Sequence, residues 1–321
     1  MAITLDRSAL QRVVAVINNK GGVGKTTLCA NVGGILAAGG WRVLILDLDP
    51  QGNLGLDLGY HGTEQDDDGA GLSKALLFGE TIAPVKAIRE NLDVVPGGRL
   101  VNHIARSLGQ QMGESGNTSA QTRLALATSL APIALDYDII LLDCPPNTDV
   151  IQTLAVAAAR YVLIPTKADT ASLQGLTLTA ERLEQVTDVN PDVDLLGVVV
   201  FGSGASSTNV RRGFADAVVA ELGGEAAREM VFQNYIRHAE ATAMAAREKR
   251  LLVHELDAKV KNAPKWYEAL KAGEKVESPG PQSAGSVADS LFAVTQELIA
   301  RLTQKEEDAA AAAETKADTY V

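Results

Sequence analysis

Residues 20–27 read Lys20-Gly21-Gly22-Val23-Gly24-Lys25-Thr26-Thr27 and directly follow residues 13–17, a short apolar run with the β-branched content of a buried strand. Glycines at 21, 22 and 24 let backbone N–H groups close on phosphate oxygens with no Cβ in the way, at the positive end of the helix that follows. Lys25 is then placed to reach the β and γ phosphates, and the Thr26 hydroxyl to meet Mg²⁺, so positions 20 to 27 form a candidate nucleotide-binding loop. One position departs from the usual P-loop pattern. Asn19 stands where glycine is usual, and a second lysine, Lys20, follows it.

The rest of the chain repeats the same rhythm. Short apolar runs at 43–46, 92–95, 139–142, 161–164 and 195–201 alternate with helix-like stretches at 25–38, 99–111, 119–131, 148–159, 172–187, 208–221, 240–249 and 286–304. Continuous rather than alternating apolarity predicts strands covered on both faces. The expected fold is therefore α/β, a doubly wound, mostly parallel sheet of the P-loop NTPase type in a single domain. Ligands in such sheets bind beyond the carboxyl ends of the strands, where the P-loop, residues 47–53 and residues 143–147 all fall.

At 321 residues and 46% apolar content, the chain is long enough to bury one large core. Two cysteines, Cys29 and Cys144, lack the spacing of a zinc site and fit a reduced cytoplasmic setting. No window approaches 18 uninterrupted apolar residues, so the protein is expected to be soluble and not secreted. A net charge of −11 argues against a protein that coats nucleic acid with its whole surface. Charge is uneven, however: residues 233–265 hold seven basic against four acidic side chains, while Glu64, Asp66, Asp67 and Asp68 form an acidic loop expected to stay solvated.

Three acidic positions carry candidate chemistry. Asp47 and Asp49, in Asp-Leu-Asp-Pro-Gln-Gly-Asn (47–53), are one pleat apart and point the same way, and Asp143 ends the run 139–142 ahead of Cys144, Pro145 and Pro146. A carboxylate near a γ-phosphate orients an attacking water or holds a metal's water shell, which is most of what a protein supplies to phosphoryl transfer. The four histidines are scattered, and no nucleophilic triad is formed, so hydrolysis would be direct attack by water.

With the second lysine in the loop, the motif at 47–53, the strand end at 143–146 and the segments 92–98 and 162–176, the chain resembles the ParA family of partition ATPases, with MinD as a cousin. The likeness covers most of residues 12–256. It implies ATP and Mg²⁺ as cofactors, Asp49 as the water-positioning residue beside Lys20 and Lys25, and Thr26, Asp47 and Asp143 as metal contacts. It also implies that Lys20 crosses to the nucleotide of a second subunit in an ATP-bound homodimer. Residues 257–285 have no counterpart in the family and read as an insertion or loop within a domain of 1–304. Residues 305–321 read as an acidic, Ala-rich flexible tail.

Members of the family bind DNA without sequence preference. Here the family's Arg-Thr-Asn stretch reads Ser207, Thr208, Asn209, with Arg211 and Arg212 displaced beyond it. The candidate phosphate contacts are Arg211, Arg212, Arg237, Arg247, Lys249 and Arg250. The implied function is an ATPase positioning a plasmid, chromosome or other cargo over the nucleoid, with a ParB-like or other adaptor stimulating hydrolysis. The first strand follows almost directly on the first residue given, so operator-specific repression is not expected. A MinD-like membrane-cycling regulator is the alternative. It would need a basic amphipathic helix near the C-terminus, whereas Leu291, Val294, Leu298 and Leu302 in 286–304 are followed by acids, so packing on the core and no stable membrane association are expected.

Overall fold

Seven strands form one sheet in the order β3-β4-β2-β5-β1-β6-β7. The computed structural model describes residues 5–113, 117–202, 208–222, 226–263 and 278–319. In chain order the strands are β1 (Val13–Val16), β2 (Val43–Asp47), β3 (Val85–Arg89), β4 (Leu92–Val95), β5 (Ile139–Asp143), β6 (Tyr161–Thr166) and β7 (Asp194–Val200). Six are mutually parallel, and β3 runs antiparallel to β4 at one edge.

Alternate residues of each strand enter opposite cores, as a sheet covered on both sides requires. Val13, Ala15, Leu44, Leu46, Ile140 and Leu142 pack on one face, and Val14, Val16, Val43, Ile45, Ile139 and Leu141 on the other. The first face is covered by α3 (Ala70–Phe78), α4 (Val101–Met112), α6 (Ala125–Ala134), α7 (Asp149–Ala158), α8 (Thr170–Glu184) and α9 (Thr208–Leu222). The second is covered by α1 (Lys25–Ala38), α2 (Asn53–Leu58), α12 (Val253–Lys261) and a long final helix, α13 (Ser283–Thr319). Three further helices, α5 (Asn117–Arg123), α10 (Ala226–Met230) and α11 (Glu240–Lys249), complete the described α-helices, and a 3-10 turn at Ser8–Leu10 precedes β1.

The expected single helix at 119–131 is two, α5 and α6, parted at Leu124, which turns inward and is 5% exposed. Strand β3 escaped the apolar reading because an edge strand with charged residues shows no buried run; a β-bulge near Ala87, at φ 56°, bends it further. The final helix extends well past residue 304, in keeping with the helix preference of its alanine run. Its first exposed turns are tied back by Arg12 to Glu306 at 2.6 Å and by Lys305 to Asp194. Leu291, Val294, Leu298 and Leu302 are all buried against the sheet, each burial worth on the order of 2 kcal/mol. Among the described residues no helix is long and apolar enough to cross a membrane.

The acidic loop is not merely solvated. Asp67 accepts the N–H groups of Gly69 and Gly71, and Asp68 accepts the backbone and Nε of Arg99, so the loop folds over residues 97–98. Lys265, Trp266, Tyr267 and Ser207 lie outside the described residues, and of Arg211 only the helical backbone is described.

Candidate active site

Parallel register sets the site. Val16 pairs with Asp143 across β1 and β5, and Asp47 pairs with Asp143 across β2 and β5, so three neighbouring strands end level. Backbone bonds then lock the departing loops: Cys144 donates to Val16 at 3.2 Å and Leu48 to Asp143 at 2.9 Å. The three loops open on one crevice of about 470 Å³, lined by Gly21, Gly22, Gly24, Lys25, Thr26, Thr27 and Asp49, with Pro145, Pro146 and Arg247 opposite.

Within the P-loop the backbone is bent as an anion cradle demands. Gly24 has φ +87°, and a Cβ there would lie 2.4 Å from the ring of Phe201, so any side chain meets both strain and collision. Val23 is buried beneath the loop. Lys25 is 7% exposed, and its Nζ donates to the carbonyls of Asn18 at 2.9 Å and Lys20 at 3.1 Å. Burial lowers its pKa, against the pull of Asp143 and Asp49. An ammonium held by two loop carbonyls in a half-closed crevice is ready to exchange them for phosphate oxygens.

The carboxylates divide into two kinds. Asp47 is fully buried and committed to backbone, Oδ1 accepting the N–H of Asp49 at 2.9 Å and Oδ2 that of Leu54 at 3.2 Å. It therefore shapes the 47–53 loop. Gly97 packs on the same turn, with a Cβ there falling 2.6 Å from the Asp47 carbonyl oxygen, which explains the glycines of 92–98. Asp49 reaches the crevice, steadied by the N–H of Gln51 at 2.9 Å, and burial raises its pKa.

Asp143 is the exception. Neither of its buried carboxylate oxygens has a hydrogen-bond partner at good geometry. Burial pushes its pKa up to about 7, opposed by the adjacent Thr26 hydroxyl and raised further by the Asp49 charge. Asp47 beside it is raised too, by burial and then by Asp143, since two dry carboxylates at one level cannot both ionise cheaply. An orphaned acid next to a threonine hydroxyl at the mouth of a P-loop is a donor set that suits Mg²⁺.

A second, more enclosed cavity of about 240 Å³ adjoins the crevice on the far side of Gly22, Gly24 and Thr27. Its wall is largely apolar, formed by Phe201, Ile236, Leu252, Val253, Val287 and Leu291. Asn31 joins its parts, donating to the Thr27 carbonyl at 2.9 Å and accepting the Val253 N–H at 2.9 Å. The sequence marked Leu291 as part of a core-facing stripe, but it marked none of these residues as the wall of a cavity. They come from elements far apart in the chain, and only the lone polar Asn31 inside an apolar helix carried a local signal.

The expected basic contacts do not gather in one patch. Arg237 lines the apolar cavity, and Arg247 lines both cavity and crevice, its Nε bound to Asp57 Oδ1 at 2.6 Å. Its side chain stays half exposed while its partner Asp57 is nearly buried. Arg212 is exposed on α9, Arg250 is exposed at the end of α11, and Lys249 is half-buried with Nζ on the Ser278 carbonyl. Lys20 stands at the rim of the crevice, its Nζ 2.7 Å from Asp169 Oδ2.

A profile of the AAA domain matches residues 11–195. The chromosome partitioning protein ParA of Caulobacter vibrioides is 36% identical over 195 residues, which span 59% of this chain and 68% of that one. Among solved structures, cobyrinic acid a,c-diamide synthase of Mycobacterium smegmatis, determined with an ATP analogue and magnesium, aligns with a TM-score of 0.59 at 29% identity over 83% of this chain and 98% of that one. McdA of Cyanothece, at 22% identity and a TM-score of 0.63 over 87% and 99% of the two chains, shares the fold. With the phosphate loop, the level strand ends and the paired acids in place, the chain belongs to the ParA/MinD superfamily of P-loop ATPases.

Proposed function

We propose that this protein is a ParA-type positioning ATPase: it dimerises on ATP, binds DNA without sequence preference as the dimer, and releases it when a partner protein stimulates hydrolysis. The observation that carries this reading is the division of labour between two lysines. Lys25 lines the crevice, whereas Lys20, five residues earlier in the same loop, stands outside its lining and stays part-exposed at the rim on Asp169. A cation at the rim is where a second subunit's phosphates would be met.

In this scheme the P-loop amides and Lys25 hold the β and γ phosphates, and Asp49 orients the attacking water. Thr26 and Asp143 would hold Mg²⁺, with Asp47 fixing the loop between them; the ion, when bound, offsets negative charge on the phosphate oxygens. Arg211, Arg212, Lys249 and Arg250 are the proposed DNA contacts, and Arg237 a weaker one. Each protomer's patch is small, so joining two on one DNA would turn weak contacts into salt-sensitive retention. A cytoplasmic, nucleoid-associated location follows from that activity.

Light scattering with a non-hydrolysable ATP analogue tests the dimer, and retention of arbitrary DNA at graded salt tests the switch. Dimers and retention with the analogue, both lost in Lys20→Ala, are expected. Monomers under every nucleotide condition, or equal DNA retention with ATP, ADP and none, overturn the reading. The MinD-like alternative predicts ATP-dependent sedimentation with liposomes; the burial of Leu291, Val294, Leu298 and Leu302 on the sheet counts against a membrane role for that stripe.

A further inference from the structure

Arg247 is the one basic side chain common to the walls of the polar crevice and the apolar cavity. The two spaces also share Gly22, Gly24 and Thr27, so these residues and Arg247 frame the passage between them. A nucleotide with its terminal phosphates at Lys25 and its base in the apolar cavity must thread that passage. What passes through it is the phosphate nearest the nucleoside.

The side chain is prepared for an anion there. Its Nε donates to Asp57 Oδ1 at 2.6 Å, an end-on contact, and among the described residues neither Nη group donates to any protein acceptor. Asp57 is only 9% exposed at its side chain, while the Arg247 side chain is 51% exposed. Burial raises the pKa of Asp57 and Arg247 opposes that shift, so the arginine favours the charged form of the acid. A guanidinium has five donors in a rigid fork; with one spent on a fixed carboxylate, the outer edge remains for a planar pair of oxyanion bonds. An arginine serving only as a surface ion pair would need neither a buried partner nor a place in both walls.

We propose that Arg247 binds the phosphate nearest the nucleoside of a nucleotide held in its own subunit, with Asp57 as the positioning residue that aims it. The inference rests on the nucleotide reading above and goes beyond it by naming a contact outside the three loop motifs. Asp57 lies on α2, whose first residue, Asn53, lines the crevice, so the same pair couples α11 to the loop that carries Asp49.

Fluorescent N-methylanthraniloyl ATP and ADP, titrated into the full chain, test this. Arg247→Ala is expected to weaken both nucleotides alike, by about tenfold or more, the scale of one lost charge-assisted contact. Arg247→Lys should recover part of that loss, since a point charge replaces the fork. Removing Arg247 alone strands a buried acid, so the double variant Asp57→Asn/Arg247→Ala is the control for folding; it should lose as much affinity as Arg247→Ala. If the double variant regains wild-type affinity, or if Arg247→Ala binds normally while Lys25→Ala does not, the contact is refuted. Loss confined to ATP would also refute it, since that places the arginine at the terminal phosphate. A wild-type chain that binds neither nucleotide brings down the ATPase reading first and this contact with it.

Discussion

The crevice and the cavity beside it share four residues yet are built in opposite ways. The crevice comes from three short loops at the ends of adjacent parallel strands, and its working groups are backbone amides and short polar side chains within a few residues of one another. The cavity takes its wall from α1, α2, α11, α12 and α13 together with Phe201 and the segment from Ile236 to Ala239, spread between positions 22 and 291. Phosphate recognition needs several N–H groups converging on one point, which only a contiguous loop supplies cheaply. An apolar face needs shape and dryness, which helices from anywhere in the chain can provide. The difference divides chemistry from fit.

Mutations on the two sides should separate those contributions. The largest effect belongs to Asp49→Ala in the crevice: ATP turnover, followed by phosphate release, is expected to fall about 10³-fold with ATP binding retained. Unchanged turnover would remove Asp49 from the water-positioning role. Lys25→Ala should weaken ATP by about 100-fold in calorimetry, since the lost contact is charge-assisted and largely desolvated. Normal affinity there would mean that the apolar side, not the crevice, holds the nucleotide.

Asp143→Asn sharpens the comparison through stability. The carboxyl has an unfolded value of 3.8 and a folded value of about 7, so between these pH values the folded chain keeps a proton that the unfolded chain releases. Its contribution to stability therefore falls as pH rises through that window, and the penalty is fully present above pH 7. Nucleotide-free Asp143→Asn should melt roughly 3–5 °C higher than wild type at pH 8, with the gap falling to about half or less of that at pH 5 and gone below about pH 4. A gap of the same size at both pH values would show that the acid is not strained by burial. The smallest effect is expected from Ile236→Val in the cavity, about 1 kcal/mol of stability by denaturant unfolding, with affinities for ATP and ADP shifted together.

Much of the crevice was legible in the chain because its parts are local. The loop at 20–27, Asp49 and Asp143 are all found where strand ends were expected, and Lys25, Thr26 and Asp49 line one space. Asp47 shows the limit of that reading. Its spacing from Asp49 suggests a second crevice carboxylate, but both oxygens are taken by backbone amides of the loop it shapes. Arg247 shows the limit more sharply, because nothing in its basic stretch points to its partner, Asp57, 190 residues away. No local pattern announces such a pair.

From the sequence alone came the α/β class, the six parallel strands and the phosphate loop, because strand burial and anion cradles are written in runs of a few residues. Tertiary structure decided the β3 edge, the length of the final helix, the division of roles between Asp47 and Asp143, and the apolar cavity with its arginine. Those depend on which distant side chains meet, and on which of them water can still reach, quantities set only when the sheet has closed and both its faces are covered.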